Sequence, residues 1–161
     1  MSIFLANALL EGGVGVLSLA SKVNPALPQL WTPGGTNEGR YGMLAEVLSF
    51  ALVSFGAVPS FLVWLTGARR ENALPVAVSA ALYHTLVTVS TLRRRFAGKE
   101  LIAPETPVLK KLVPPAVAAA IIPKDPEQAQ TSTAVSMAVS HGLMALAFVR
   151  WLLTAGRAAS S

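Results

Sequence analysis

Four apolar stretches constrain the fold of this chain more than any other feature of its sequence. The hydrocarbon core of a bilayer is about 30 Å thick, and a helix needs about 20 mostly apolar residues to cross it. Windows of this kind run roughly from Ile3 to Ala20, Met43 to Thr66, Leu74 to Leu92 and Ser132 to Thr154. The sequence therefore predicts an all-α, polytopic membrane protein, a four-transmembrane-helix bundle. We expect a single domain over residues 1–155 and a disordered tail over residues 156–161.

Composition supports a membrane protein and argues against nucleic-acid binding. Apolar residues make up 53% of the chain and charged residues 13%, whereas roughly a quarter of the residues in a soluble domain are charged. The net charge of +5 comes from basic residues at the ends of apolar windows, without interleaved aromatic residues, so we expect contacts with anionic lipid headgroups and no nucleic-acid partner. Since there is no cysteine, the sequence excludes thiolate chemistry and leaves the compartment open between endoplasmic reticulum and bacterial inner membrane.

The details of each window refine this layout. The first lacks a basic start and contains Asn7 and Glu11, so we interpret it as a retained span and not as a signal peptide. Pro59 predicts a kink in the second window unless neighbouring groups satisfy the freed carbonyl. Residues 108–123 contain the run "LVPPAVAAAIIP", which is too short to span. We interpret it as a re-entrant or interfacial segment between helices 3 and 4, and a fifth membrane segment is the alternative.

The distribution of lysine and arginine predicts the orientation. In a four-span arrangement, nine basic residues lie on the side of the two long connections and four lie on the other side. Because cytoplasmic loops carry an excess of basic residues, we expect cytoplasmic long connections and both termini on the outer or lumenal side. The nine are Lys22, Arg40, Arg93, Arg94, Arg95, Lys99, Lys110, Lys111 and Lys124, and the four are Arg69, Arg70, Arg150 and Arg157.

Four ionisable residues fall inside the predicted spans, namely Glu11, Glu46, His84 and His141. With a helical rise of 1.5 Å per residue, Glu11, His84 and His141 lie roughly 12 to 15 Å from a membrane face, near the midplane. Glu46 lies only about 5 Å inside the cytoplasmic face by the same arithmetic. Because an unpaired ionisable group inside a bilayer costs several kcal/mol, we predict that the three midplane residues meet in the bundle interior. All four are candidate catalytic residues.

Neighbouring residues at helical spacing extend this polar set along each helix. Polar or soft residues share a face with it in three groups: Asn7, Glu11 and Ser18; His84, Thr88 and Thr91; Thr133, Met137, His141 and Met144. Small residues predict close helix contacts at Ala77, Ala80, Ala81 and the "GGVG" run from Gly12 to Gly15. A packing role is the alternative to chemistry, in which the ionisable groups only hydrogen-bond a neighbouring helix. For Glu46 that alternative is snorkelling or pairing with Arg40.

Carboxyl and imidazole groups in apolar surroundings can exchange protons with an otherwise inert lipophilic molecule. The set therefore favours a protein that binds a sterol, terpenoid or polyketide-like molecule in an intramembrane pocket. Its candidate activity is acid/base isomerisation or cyclisation, which needs no cofactor.

Two membrane-protein families resemble parts of the chain. The stretch "LAEVLSFALVSFGAVPSFLVWLTG", followed by a short polar turn and "LPVAVSAALYHTLVTVS", is similar to the second and third helices of the EXPERA family of sterol isomerases and sigma-2-like ligand-binding proteins. That resemblance implies a lipophilic pocket with Glu46 and His84 in it. The four-span layout, with "NP" after the first helix and "GRYGMLAEV" opening the second, resembles DoxX-like proteins.

Two other classes of function stay open at this point. His84 and His141 could ligate one haem, or they could join Glu11 in a non-haem iron site with two histidines and one carboxylate. A non-catalytic module that assembles with copies of itself or with another membrane protein would use the small-residue faces instead.

Overall fold

The computed structural model describes residues 2–24, 47–97 and 126–157, and within these ranges the chain is helical without strands. The four helices are α1 (Ile3–Val23), α2 (Val47–Leu65), α3 (Arg70–Phe96) and α4 (Pro126–Arg157). Each contains a stretch long and apolar enough to cross a membrane. The described residues thus confirm the predicted helical class and the four predicted windows.

Some predicted features lie outside the residues that the structure describes, and two helix ends differ from the prediction. The segment 108–123, the alternative fifth membrane segment and the candidate residue Glu46 are outside the described residues. Helix α4 continues to Arg157, past the predicted start of the tail at residue 156. The third helix also begins earlier than predicted, at Arg70. Glu71 in its first turn stabilises that start, because a negative charge is favourable at a helix N-terminus.

A tight turn joins α2 to α3. Thr66 caps α2, and the next two residues, Gly67 and Ala68, have positive φ angles of 75° and 53°. Their backbone N–H groups donate to Trp64 O and Val63 O, which is the hydrogen-bond pattern of a Schellman motif. The turn reverses the chain within a few residues, so α2 and α3 are antiparallel neighbours.

One apolar core shows how the four helices are arranged. It combines Phe4 from the start of α1, Val63 from the end of α2, Ala77 from the first half of α3 and Phe148 from the second half of α4. The Phe4 ring meets the Phe148 and Trp151 rings edge to face, at centroid distances of 5.6 and 5.2 Å. The start of α1 and the end of α4 therefore lie at the same end of an up–down bundle.

Polarity in the bundle is inverted relative to a soluble protein. Fully buried polar side chains include Asn7, Ser49, Ser60 and His84. Large apolar side chains cover the outside, among them Leu9, Val16, Phe50, Phe55, Leu62, Val78, Leu82, Leu86, Leu143, Leu146 and Leu153. Contiguous apolar surface on this scale is rare on soluble monomers, and a helical bundle in lipid requires it.

Glycines bring α1 and α2 into close contact. A Cβ on Gly15 would lie 2.7 Å from Val53 Cγ2 and 2.9 Å from Ser49 O, and a Cβ on Gly12 would lie 3.2 Å from Ala57 Cβ. Gly13, by contrast, faces open space. The interpretation of the "GGVG" run as a close helix crossing is therefore confirmed at Gly12 and Gly15.

Pro59 predicts a kink in the second span, and the structure has a π-helical segment, Leu52–Ala57, just before the proline. The N–H of Val58 donates to Val53 O, one residue further back than in an α-helix. Proline has no N–H, and its ring clashes with the carbonyl four residues earlier. The wider turns before Pro59 relieve that clash, and π-helical segments in proteins are frequent at functional sites.

Candidate functional site

A continuous chain of hydrogen-bonded polar side chains crosses the bundle interior from α2 to α4. Asn7 Nδ2 donates to Ser60 Oγ over 2.9 Å and lies 3.5 Å from Gly56 O, while Asn7 Oδ1 lies 2.7 Å from His84 Nε2. His84 Nδ1 lies 2.7 Å from His141 Nδ1. The chain links α2, α1, α3 and α4 in that order, so all four helices contribute to one site.

This chain defines the proton positions on the two imidazoles. A backbone carbonyl only accepts hydrogen bonds, so the Asn7 amide nitrogen faces Gly56 and its oxygen faces His84. His84 Nε2 therefore carries a hydrogen that it donates to Asn7 Oδ1. In neutral His84 the Nδ1 lone pair then accepts a hydrogen from His141 Nδ1.

Glu11 lies beside this chain with one oxygen unsatisfied. The residue is 2% exposed, and the Tyr83 hydroxyl donates to its Oε2 over 3.4 Å. Its Oε1 is 3.7 Å from His84 Nε2, and within the described part of the chain this atom has no hydrogen-bond partner. A buried carboxyl oxygen without a partner costs free energy, so a ligand that approaches Oε1 with a proton or a positive charge would be stabilised there.

Local packing holds these groups in place. Asn7 and Glu11 are four residues apart and share one face of α1. Gly56 lets α2 pass close to this face, since a Cβ added to Gly56 would lie 3.1 Å from Glu11 Cβ. The His84 ring stacks on Phe148 at 6.1 Å and 12°, and Tyr83 meets both imidazoles edge to face. Aromatic packing thus restricts the rotation of the histidine rings.

A cavity of about 200 Å³ lies next to the polar chain, between α1, α2 and α3. Glu11, Asn7, Tyr83 and Ser60 supply its polar groups, and small or apolar side chains form the remaining wall: Leu48, Ala51, Leu52, Phe55, Gly56, Val76, Ser79 and Ala80. Phe55 is 82% exposed on the outer surface, so the cavity reaches the face of the bundle that would contact lipid. A mostly apolar pocket with a few converging polar groups is the usual form of a small-molecule site.

The structure brings three of the four predicted site residues together. Glu11, His84 and His141 each offer a ligand atom within 4.8 Å of the others, which confirms that they meet in the bundle interior. Glu46 lies outside the described residues, so its role stays a prediction. Thr88 of the predicted stripe on α3 faces α4 beside Gly142, and its hydroxyl donates to the His84 carbonyl of its own helix.

The sequence does not predict the roles of Ser60 and Tyr83 in the site, and it predicts too small a role for Asn7. Asn7 was predicted as part of a polar stripe, but the structure makes it the central link between Ser60 and His84. Ser60 follows Pro59, and Tyr83 precedes His84, so each adjoins a residue that the sequence did single out. The signal that could have found them is depth, because both lie near the level of the other polar residues.

Neither a known family model, nor a curated protein, nor a solved structure matches this chain. The resemblance to EXPERA and DoxX-like proteins therefore stays a prediction.

Proposed function

We propose that this chain is an integral, multi-pass membrane protein that binds a lipophilic small molecule in the cavity between α1, α2 and α3. The observation that carries the proposal is the position of Glu11, a buried carboxyl with one unpartnered oxygen in the wall of a mostly apolar cavity. A sterol, terpenoid or polyketide-like molecule would place its apolar body against Leu52 and Val76 and its polar or unsaturated end near Glu11. The exposed position of Phe55 supports entry from the lipid.

The finer part of the proposal is acid/base isomerisation or cyclisation. The Glu11 carboxyl would donate its proton to one carbon of a double bond, which leaves a carbocation on the other carbon of that bond. The Glu11 carboxylate would then remove a proton from the carbon beyond the carbocation, so that the double bond moves by one position. Atoms and electrons balance without an oxidant or other co-reactant. Tyr83, which donates to Oε2, would hold the carboxyl in one orientation during both transfers.

Photocrosslinking tests the binding site. The purified protein in detergent is labelled with a diazirine-bearing sterol and with a diazirine-bearing linear terpenoid, each competed by excess unlabelled parent compound. Ser79 lines the cavity, so the ring of Ser79→Phe should occupy the cavity and abolish competable labelling. Ser90→Phe is the matched control, because Ser90 is an exposed serine of α3 about three turns away. Equal labelling of both variants would contradict the cavity as the binding site.

Deuterium incorporation tests the chemistry without knowledge of the natural product. An unsaturated terpenoid or sterol is incubated with the protein in D2O and analysed by mass spectrometry. Wild type should incorporate deuterium, and Glu11→Gln should retain labelling by the photoprobe but lose the incorporation. Deuterium uptake that is unchanged in Glu11→Gln would reject Glu11 as the acid.

A further inference from the structure

Beyond lipophile binding, we propose that Glu11, His84 and His141 form a site for one divalent transition-metal ion. Each of the three residues offers an oxygen or nitrogen atom, and these atoms lie within 4.8 Å of one another. Two imidazoles and one carboxylate are the ligand set of non-haem Fe²⁺ centres, and the same donors suit Zn²⁺ and Co²⁺. The three side chains come from α1, α3 and α4, so the packing of these helices holds them together without a bound cation.

The distance between the imidazoles suits a shared ion. Two nitrogens bound to one ion at about 2.0–2.1 Å are roughly 3 Å apart when the angle at the metal is near 90°. The Nδ1 atoms of His84 and His141 lie 2.7 Å apart, so a small separation of the rings would admit the ion. The same distance argues against haem, because axial ligands on opposite sides of one iron must lie about 4 Å apart with a porphyrin between them.

The groups around the three ligands have the positions of supporting residues in metal sites. A metal-bound histidine almost always donates its other ring N–H to a carbonyl or carboxylate oxygen. His84 donates from Nε2 to Asn7 Oδ1, which leaves Nδ1 as the ligand atom. Glu11 Oε1 lies 3.7 Å from Nε2, so the carboxylate must turn toward Nδ1 to complete the site. Asn7 is itself held by Ser60, and the Tyr83 hydroxyl holds Glu11 Oε2.

The unpartnered Oε1 of Glu11 is a second observation that suits a bound cation. It is a buried carboxyl oxygen within 3.7 Å of His84 Nε2, and no described residue donates a hydrogen bond to it. Ionised carboxylates are rarely buried unless they are paired or coordinate a metal. A divalent ion between Glu11 and the two histidines would supply the missing positive charge.

Metal binding and proton donation are alternative uses of the same Glu11 carboxylate. Neither imidazole lines the cavity, so an ion on the histidine side would leave room for a lipophile on the Tyr83 side. Loading the site should therefore suppress Glu11-dependent deuterium incorporation while photoprobe labelling persists. The metal proposal does not depend on lipophile binding, and it is tested on protein to which no lipophile has been added.

Cobalt binding tests the proposal. The full chain is purified in detergent without a histidine tag, because the tag would bind Co²⁺ itself. The chain has only two histidines of its own. Titration with Co²⁺ should give one ion per chain with a visible absorption spectrum, and Zn²⁺ should displace it. Glu11→Gln and His141→Ala should abolish saturable binding. Asn7→Ala should weaken it by about 10–100-fold, because loss of a residue that orients a ligand has that effect.

Ser49→Ala is the control, since Ser49 is a buried polar residue in the α1–α2 contact away from the three ligands. It should bind Co²⁺ like wild type. If a ligand variant does not fold, the shift in Tm of the wild type on addition of Zn²⁺ provides the second measurement. Absence of both Co²⁺ binding and a Zn²⁺-dependent Tm shift in folded wild type would overturn the proposal. Unchanged Co²⁺ binding by folded Glu11→Gln and His141→Ala would overturn it too.

Discussion

Asn7 organises the site through the two ends of one amide. Its nitrogen donates to Ser60 on α2 and its oxygen accepts from His84 on α3, so this side chain of α1 fixes both neighbours. A leucine of similar size at this position would remove the hydrogen bonds of Asn7 to Ser60 Oγ and to His84 Nε2, and both atoms are buried. The amide therefore sets the orientation of the imidazole on which either proposed chemistry depends.

A double-mutant cycle measures the contribution of this link to stability. Asn7→Ala and Ser60→Ala each remove one partner of the 2.9 Å hydrogen bond. We expect a coupling energy of about 0.6 kcal/mol and no more than about 1.7 kcal/mol, as for hydrogen bonds between membrane helices. The measurement is reversible unfolding in mixed detergent micelles. Strict additivity of the two single variants would contradict an energetically significant hydrogen bond.

The two glutamates in the predicted spans should differ in their effect on function. Glu11 lies in the wall of the cavity, whereas Glu46 is predicted to lie about one turn from the membrane face. We expect Glu11→Gln to lose deuterium incorporation at every accessible pH and Glu46→Gln to retain part of it. Both variants are compared in the same assay at equal amounts of folded protein. Complete loss in Glu46→Gln beside near-normal Glu11→Gln would favour the EXPERA-like assignment instead.

At the scale of helices, the α1–α2 contact depends on the absence of side chains. Gly12 and Gly15 lie where an added Cβ would approach α2 to 3.2 Å and 2.7 Å, respectively. A buried hydrogen bond from Ser49 Oγ to Ser18 Oγ, at 2.8 Å, adds a polar contact between the same helices. Small residues and hydroxyl pairs of this kind hold helices together where the surroundings are as apolar as the helices themselves.

Gly15→Ala should destabilise the protein. The new methyl group would lie 2.9 Å from Ser49 O, a backbone atom that cannot rotate away, so α1 and α2 must separate. We expect a loss of about 1–3 kcal/mol, the usual range for overpacking. Gly13→Ala is the control on the same helix, because a Cβ there meets nothing within 4 Å. It should be neutral or stabilise by up to about 1 kcal/mol, since alanine favours a helix over glycine.

Unfolding of both glycine variants is followed by circular dichroism in the same detergent. If Gly15→Ala were as stable as wild type, α1 and α2 could not pack as closely as described.

Some elements were predictable from sequence because they depend on local chemistry. The four windows follow from length and apolar composition. The convergence of Glu11, His84 and His141 follows from their common depth together with the cost of an unpaired ionisable group in lipid. The direction of each side chain around its helix axis depends on how the helices rotate against each other. Depth could therefore bring His84 near Glu11, but it could not show that Asn7 lies between Ser60 and His84. The π-helical segment Leu52–Ala57 of α2 could not be predicted either, because Pro59 predicts a kink but does not specify a π-helical turn.

At the scale of the whole molecule, the apolar core adjoins the polar chain, because the Phe148 ring stacks on the His84 ring. The aromatic cluster of Phe4, Phe148 and Trp151 packs the start of α1 against the second half of α4. The polar chain through Asn7 and His84 comes next along α1 and α3. Because Phe55 lines the cavity and is exposed on the outer surface, access to the cavity is expected from the side of the bundle.

The arrangement of the core makes a specific prediction about topology. Because Phe4 and Phe148 pack together, the start of α1 and the end of α4 must lie on the same side of a membrane that the bundle spans. The excess of basic residues in the two long connections predicts that this side is outer or lumenal.

The chain has no cysteine, so single cysteines at Ser2, Ala97 and Ser160 can be labelled without background. An impermeant maleimide applied from outside should label Ser2→Cys and Ser160→Cys, and it should label Ala97→Cys only after the membrane is permeabilised. Labelling of Ser2→Cys and Ser160→Cys from opposite sides would reject the four-span bundle, whereas labelling of only Ala97→Cys from outside would keep the bundle and reverse its orientation.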